Sequence, residues 1–264
     1  MSNAPRMVVT DMDGTLLSSA GTVSERNAAA LRRAADAGAE VVVATGRPAY
    51  WLDPVIDIGF RGTAICMNGA VTFDIDAKEL LAICPLTVEV MHEFVERLEH
   101  RLPGIALAVE REGSDTINAW SEAVYDHPWT DGEFGILPRS ELLAQPAVKL
   151  LVRHGDNSSV LAAAAAADGL DRVSITYSSN AGLIEVAAAG VNKGAAIQRL
   201  ADRLTIDAAD VVAFGDMPND AEMLRWAGRS FAMQNSHPLA AAAATDVAPD
   251  NDSDGVAQIL ERWF

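Results

Sequence analysis

Near the start of the chain, the run VVTDMDGT delivers two carboxylates, Asp11 and Asp13, one residue apart and followed by a glycine. Asp and Gly together also make an ordinary turn, because Asp hydrogen-bonds its own backbone and Gly takes left-handed conformations freely. Three other stretches could act with these acids. VVVATGR ends an apolar run on Thr45, Gly46 and Arg47, which offer a hydroxyl, backbone N–H groups and a guanidinium, the donors that an anionic phosphoryl oxygen requires. VNKGAA puts Lys193 near a helix start, where its ammonium and the helix dipole both favour an anion. VVAFGDMPNDAEML ends another apolar run on Gly215, Asp216, Asn219 and Asp220. A lone lysine is usually a solvated surface charge, and Asp-Gly at a strand end occurs in many folds. Four such pieces at the ends of apolar runs are another matter.

Other phosphate or cation motifs do not fit. An EF-hand loop needs its glycine two places later and a glutamate at its twelfth position, where this chain has Thr22. Neither GxGxxG nor GxxxxGK[ST] occurs.

Positioning these pieces takes a sheet. MVVT reads as a strand. SERNAAALRRAADAG reads as a helix that Ser24 caps and Gly38 ends, and AEVVVAT as the next strand. Strands apolar on both faces belong to a parallel sheet covered by helices on each side. GRPAYWLDPVIDIGF is helical in part, and TAICMNGA is a third strand ending in a turn. The rhythm returns late, with NKGAAIQRLADRL and NDAEMLRWAG as helices and DVVAFGD and SFAMQNS as strands. The expected fold is α/β, a Rossmann-like doubly wound parallel-sheet core that binds ligands outside the carboxyl ends of its strands.

The middle differs. TVEVMHEFVERLEHRL sets Val88, Met91, Val95 and Leu98 at helical spacing, and SSVLAAAAAADG is a second helix, alanine being the best helix former. Between and after them, IALAVERE, AVKLLVRH, RVSITYSS and GLIEVAAA read as strands. That composition predicts an inserted α+β domain with an antiparallel sheet, solvated on one face. The expected division is core 1–83, insert 84–187 and core 188–264.

Composition narrows the partners. A formal charge of −17 over 264 residues would repel nucleic acid and anionic membrane surfaces. No window offers 18 consecutive apolar residues, and MSNAPRMVVT lacks the basic start and apolar stretch of a signal peptide, so the expected location is the cytoplasm. Cys66 and Cys84 are too few for a disulfide framework and are expected as buried free thiols. Asn157-Ser158-Ser159 fits a glycosylation acceptor, but reads here as a solvated turn at a helix start.

DMDGTLL, ATGR, VNKG and GDMPND resemble the four ordered motifs of the haloacid dehalogenase superfamily, and MNGA resembles a further signature of its Cof-type subgroup. The insert lies where that subgroup, type IIB, carries its α+β cap. The dehalogenases that name the superfamily lack the second acid of the first motif, so Asp13 points to phosphate chemistry. The resemblance implies a Mg²⁺-dependent phosphomonoester hydrolase in which Asp11 is the nucleophile and Asp13 the general acid and base. Thr45 and Lys193 would bind the phosphoryl group, with Gly46, Arg47 and Asn219 assisting. The Asp11 carboxylate, the Asp13 carbonyl and Asp216 would hold the metal, with Asp220 behind them. Two acids suit a two-step reaction, because one becomes covalently occupied while the other moves the proton.

The substrate expected is a small phosphorylated metabolite, a sugar phosphate or related phosphate ester, and the protein a monomer, with a weak homodimer as the alternative. A phosphomutase built on a similar core and cap is the rival function, and a non-catalytic phosphometabolite-binding module a third. In the cap, Trp120, Tyr125, Asp126, His127, Trp129 and Asp131 form a polar and aromatic mixture suited to sugars, although aromatics in a small insert are more often core. His127 with Asp126 and Asp131 reads as a loop and not a second metal site. His92, His100, His154 and His237 show no partnered spacing.

Overall fold

A computed structural model of the chain describes residues 4–111, 118–127, 134–155, 157–167, 171–179 and 181–264. They form two compact units, one of residues 1–81 and 192–264 and the other of residues 82–191.

The first unit opens with strand β1 (Met7–Thr10), every residue of which is buried. Helix α1 (Glu25–Asp36) follows, with Ser24 accepting from the Asn27 N–H at 3.1 Å and Gly38 in a left-handed conformation after its end. Next come β2 (Glu40–Ala44), the single turn α2 (Asp53–Ile56) and β3 (Thr63–Cys66). After the Met67–Gly69 turn the chain doubles back as β4 (Val71–Asp74), antiparallel to β3, and continues into β5 (Glu79–Ile83).

The second unit contains α3 (Val88–Arg101), β6 (Ala106–Glu110), β7 (Ala119–Ser121), β8 (Gly135–Ile136), α4 (Arg139–Leu142), β9 (Lys149–Arg153), α5 (Ser158–Ala166), β10 (Val173–Thr176) and β11 (Leu183–Ala188). Its sheet runs β10-β11-β9-β6-β7-β8. Asn157 caps α5, as a turn at a helix start should.

Back in the first unit, the chain forms α6 (Lys193–Leu204), β12 (Val211–Gly215), α7 (Ala221–Trp226), β13 (Arg229–Met233), α8 (Pro238–Ala241), β14 (Asp246–Ala248) and α9 (Gly255–Leu260). The sheet order is β14-β13-β12-β1-β2-β3-β4-β5, parallel from β14 to β3. The order reverses between β1 and β12, which makes that pair the switch point where such sheets bind ligands. On one face Met7, Val9, Val42, Ala44, Ile65, Val211 and Ala213 pack against Ile197, Leu200, Met223 and Leu224 of α6 and α7. Val8, Val43 and Val212, alternating with them, are buried too, as a sheet covered on both faces demands.

The insert departs from expectation in two ways. Its sheet is antiparallel except for β7 and β8, which pair in parallel. Nor is either face of its central strands solvated: Leu107, Val109, Leu150, Val152, Ile184 and Val186 bury one side under α3 and α5, while Tyr125 and Phe134 cover Ala106, Ala108, Leu151 and Leu183 on the other. Tyr125 and Phe134 stand outside any strand periodicity, so the cover they give the sheet cannot be read from pattern. Of the candidate cap residues, Tyr125 belongs to that buried layer and Trp120 packs partly buried against the other. His127 bonds Ser121 at 3.0 Å, Asp126 lies 3.6 Å from Arg153, and Trp129 and Asp131 lie outside the described residues. Cys66 is buried as expected, whereas Cys84 is only half-buried.

On the Tyr125 side, Lys149 is buried between Glu110 at 3.2 Å and Glu185 at 2.8 Å. Burial alone would lower the Lys149 pKa, but the two carboxylates outweigh it and hold it above the ordinary lysine range. Burial likewise pushes Glu110 up, against the pull of Lys149. Lys149→Met should therefore destabilise the protein by about 3–5 kcal/mol, since it strands two buried carboxylates. Adding Glu110→Gln and Glu185→Gln should restore most of that loss. Denaturant unfolding reads both, and a single variant within about 1 kcal/mol of wild type would refute the assignment.

Candidate active site

The chemistry-bearing residues follow parallel strands at one edge: Asp11 after β1, Thr45 after β2, the Met67–Gly69 turn after β3 and Asp216 after β12. Beyond Asp11 the chain makes one wide turn, closed by the Leu17 N–H donating to the Met12 carbonyl at 2.8 Å. Gly14 stands in this turn at φ 73°, and any side chain there would run into the Asp216 carboxylate. Glycine thus lets the turn press against Asp216, and Thr15 donates its hydroxyl to the same carboxylate at 2.9 Å.

Lys193 begins α6, whose first turn Asn192 caps by accepting from the Ala195 N–H at 2.8 Å. Its side chain is 0% exposed, which removes it from the surface-charge class. The ammonium donates to Asp11 at 2.6 Å and to Asp220 at 2.7 Å. Asp220 accepts on its other oxygen from the backbone N–H groups of Asp216 and Met217, each at 2.9 Å. With both oxygens engaged, Asp220 ties α6 and the strand end of β12 into one unit.

Asp11, Asp216 and Asp220 are buried, and each offers a carboxylate oxygen within 4.8 Å of the others, the one such potential metal-holding group among the described residues. Burial pushes Asp11 well above the usual carboxylate range; Lys193 pulls it back, and Asp220, Asp216 and Asp13 add to the rise. Burial, then Asp220, pushes Asp216 up to about 7. Lys193 itself is drawn down by burial but raised further by Asp11 and Asp220, so it ends above the ordinary lysine range. Three buried acids and one ammonium leave negative charge uncompensated. All-oxygen donors of this kind fit a small hard cation such as Mg²⁺. The Asn219 carboxamide oxygen, buried without a hydrogen-bond partner, is a further acceptor in want of a donor.

Asp13 stands apart from this cluster. Its half-exposed carboxylate is gripped by the Arg47 fork, with Nε donating at 2.8 Å and Nη2 at 2.6 Å, while Nη1 donates to the Trp51 carbonyl at 3.2 Å. The Arg47 N–H donates to the Thr45 hydroxyl at 3.1 Å, which folds the Thr45–Arg47 loop on itself. Asn219 donates to Asn68 at 3.0 Å. Thr15, Asn68 and Asn192 lie inside DMDGTLL, MNGA and VNKG, but the motifs alone assign them no role. Asn directly before a helix is a capping signal that marks Asn192, whereas the side chains of Thr15 and Asn68 act on residues distant in the chain.

A family model described as haloacid dehalogenase-like hydrolase matches residues 8–260. The chain belongs to this family. The chain is 26% identical to the 5-amino-6-(5-phospho-D-ribitylamino)uracil phosphatase YcsE of Bacillus subtilis, over 98% of its own length and 95% of that protein's. It is 28% identical to the chloroplastic endoribonuclease YBEY of Arabidopsis thaliana over 96% of its own length but only 45% of that protein's. The chain therefore spans less than half of that relative. The crystal structure of SMU.1108c from Streptococcus mutans superposes with a TM-score of 0.85 at 25% identity, covering 98% of each chain. The family that the four motifs resemble is thus the family to which the chain belongs, and the doubly wound core is its fold.

Proposed function

We propose that the protein hydrolyses the phosphomonoester of a small soluble metabolite, a sugar phosphate or a related ester, by way of an aspartyl-phosphate on Asp11. The observation that carries this reading is Lys193, buried and bonded at once to Asp11 and Asp220 beside Asp216. An ammonium fixed on a buried carboxylate neutralises it where an anion must approach, and it stands ready to bind a transferring phosphoryl oxygen without reorganising. The substrate class draws support from the Bacillus subtilis relative, whose name carries a phosphorylated ribityl chain.

In the first step the Asp11 carboxylate attacks phosphorus while Thr45, Lys193, Asn219 and the Gly46 backbone hold the phosphoryl oxygens. Asp13 gives a proton to the departing oxygen. For Asp13 to carry that proton, Arg47 must first release it, and the incoming phosphate is the anion that competes for the guanidinium. In the second step Asp13 takes a proton from water attacking the aspartyl-phosphate, and Asp11 is regenerated. Mg²⁺ held by Asp11, the Asp13 carbonyl and Asp216, with Asp220 behind them, would supply the positive charge that lets a carboxylate approach a phosphate dianion. We further take the protein to act in the cytoplasm as a monomer, away from nucleic acid and membrane surfaces, which its charge of −17 would repel. Among the described residues no helix is long and apolar enough to cross a membrane.

A panel of phosphorylated metabolites assayed for phosphate release tests the reading, with sugar phosphates expected to rank highest. Release from none of them would overturn it. Chelation should abolish turnover and Mg²⁺ restore it, while Ca²⁺, with its larger and looser coordination, should substitute poorly. Full turnover in excess chelator would sink the metal assignment.

A further inference from the structure

The Met67–Gly69 turn has no part in the chemistry above, yet it touches three of the segments that carry it. Its residues are consecutively left-handed, with φ 52° at Met67, 54° at Asn68 and 101° at Gly69. A left-handed non-glycine residue is strained, and a run of such residues persists only where the surroundings enforce it. What enforces it is visible. The N–H groups of Met67 and Asn68 each donate at 3.0 Å, to the carbonyls of Arg47 and Thr45 respectively. Gly69 packs so closely on the Asn192 carbonyl, one residue before Lys193, that a Cβ would collide with it. Asn68, 4% exposed, accepts from the Asn219 amide. Glycine would suit this φ at less strain, but it has no acceptor to offer Asn219.

We propose that Asn68 is a positioning residue for the phosphoryl site, holding the Asn219 carboxamide through its side chain and the Thr45–Arg47 loop through its backbone. The proposal rests on the assignment of Thr45 and Asn219 to the phosphoryl group. Asn219 has its other polar atom, Oδ1, unpartnered, so the bond to Asn68 is what fixes the rotation of its amide. Without it the amide turns freely among orientations, only some of which present N–H to a phosphoryl oxygen.

The test is a double-mutant cycle on the full chain with p-nitrophenyl phosphate as substrate and inorganic phosphate as inhibitor. Asn68→Gly keeps the left-handed turn and deletes the side chain. It should lower kcat/KM by about 10²-fold, the scale of a misplaced binding group, and weaken inhibition by inorganic phosphate, with the melting temperature nearly unchanged. Asn219→Ala should do the same, and in the Asn68→Gly background it should cost little more. In the Asn68→Asp background, which keeps both an acceptor and tolerance of the turn, Asn219→Ala should again cost nearly its full factor. That contrast is expected of positioning and not of a merely structural turn. Should Asn68→Gly fail to fold, Asn68→Ser takes its place in the cycle, with the same non-additivity expected. Independent, multiplicative losses in the cycle, or an Asn68→Gly enzyme within about twofold of wild type, would overturn the proposal while leaving the site intact. A harmless Asn219→Ala would instead overturn the assignment of Asn219 to the phosphoryl group, and the proposal with it.

Discussion

Asp11→Asn should form no phosphoenzyme with any substrate, and its turnover should fall by a factor on the order of 10⁴ or more, as when a covalent nucleophile is removed. Asp13→Asn should behave differently, because it keeps the nucleophile and removes only the proton carrier. With an alkyl phosphate, whose oxygen leaves poorly unless protonated, the first step itself should slow severely. An aryl phosphate leaves more readily without a proton, so its transfer to Asp11 should survive better. Water attack then lacks a base, and the intermediate should accumulate. Intact-protein mass spectrometry of Asp13→Asn after rapid acid quench with an aryl phosphate should show a phosphate adduct mapped to Asp11. An adduct elsewhere, or one formed by Asp11→Asn, would reverse the assignment of this pair. The geometry bears on the contrast: Asp11 is buried against Lys193, whereas Asp13 is half-exposed and paired with Arg47, so the two acids already occupy unlike environments.

Lys193→Ala should lower turnover by about 10²-fold or more, the scale of losing one preorganised electrostatic group. Because the ammonium is buried between Asp11 and Asp220, the same change should also cost about 3–5 kcal/mol of stability, since it leaves two buried carboxylates facing each other. Both effects belong to one cause, and both should shrink together if Asp220→Asn is added, which removes one of the stranded charges. Turnover is to be measured well below the variant's unfolding transition. A folded Lys193→Ala enzyme with unchanged turnover would return Lys193 to a structural role, and unchanged stability would contradict the burial of the triad.

Local chemistry carries much of this molecule. The apolar runs before Asp11, Thr45 and Asp216 could only be strands buried on both faces, and Ser24, Asn157 and Gly38 mark helix ends by hydrogen bonds and conformations made within a few residues. Once the runs are strands of one parallel sheet, their carboxyl ends share an edge, so the candidate site was legible from the residues that follow them. Other features were not. The pairing of β7 with β8 in parallel, and the cover that Tyr125 and Phe134 lay over the second sheet face, depend on contacts between residues far apart or outside any period.

Sequence by itself determined the residue types and the strand ends: two acids one apart, a hydroxyl and guanidinium, a lysine at a helix start, and a second pair of acids. Only the tertiary structure decided how they divide. It sank Lys193 between Asp11 and Asp220, turned Asp13 outward to Arg47, set Thr15 on Asp216, and put Asn68 behind Asn219. The reason is physical. Strand and helix signals are written in periods of two and 3.6 residues, whereas these bonds join residues from 27 to 201 positions apart, and burial, which turns an ordinary charge into a neutralised one, belongs to the packed whole.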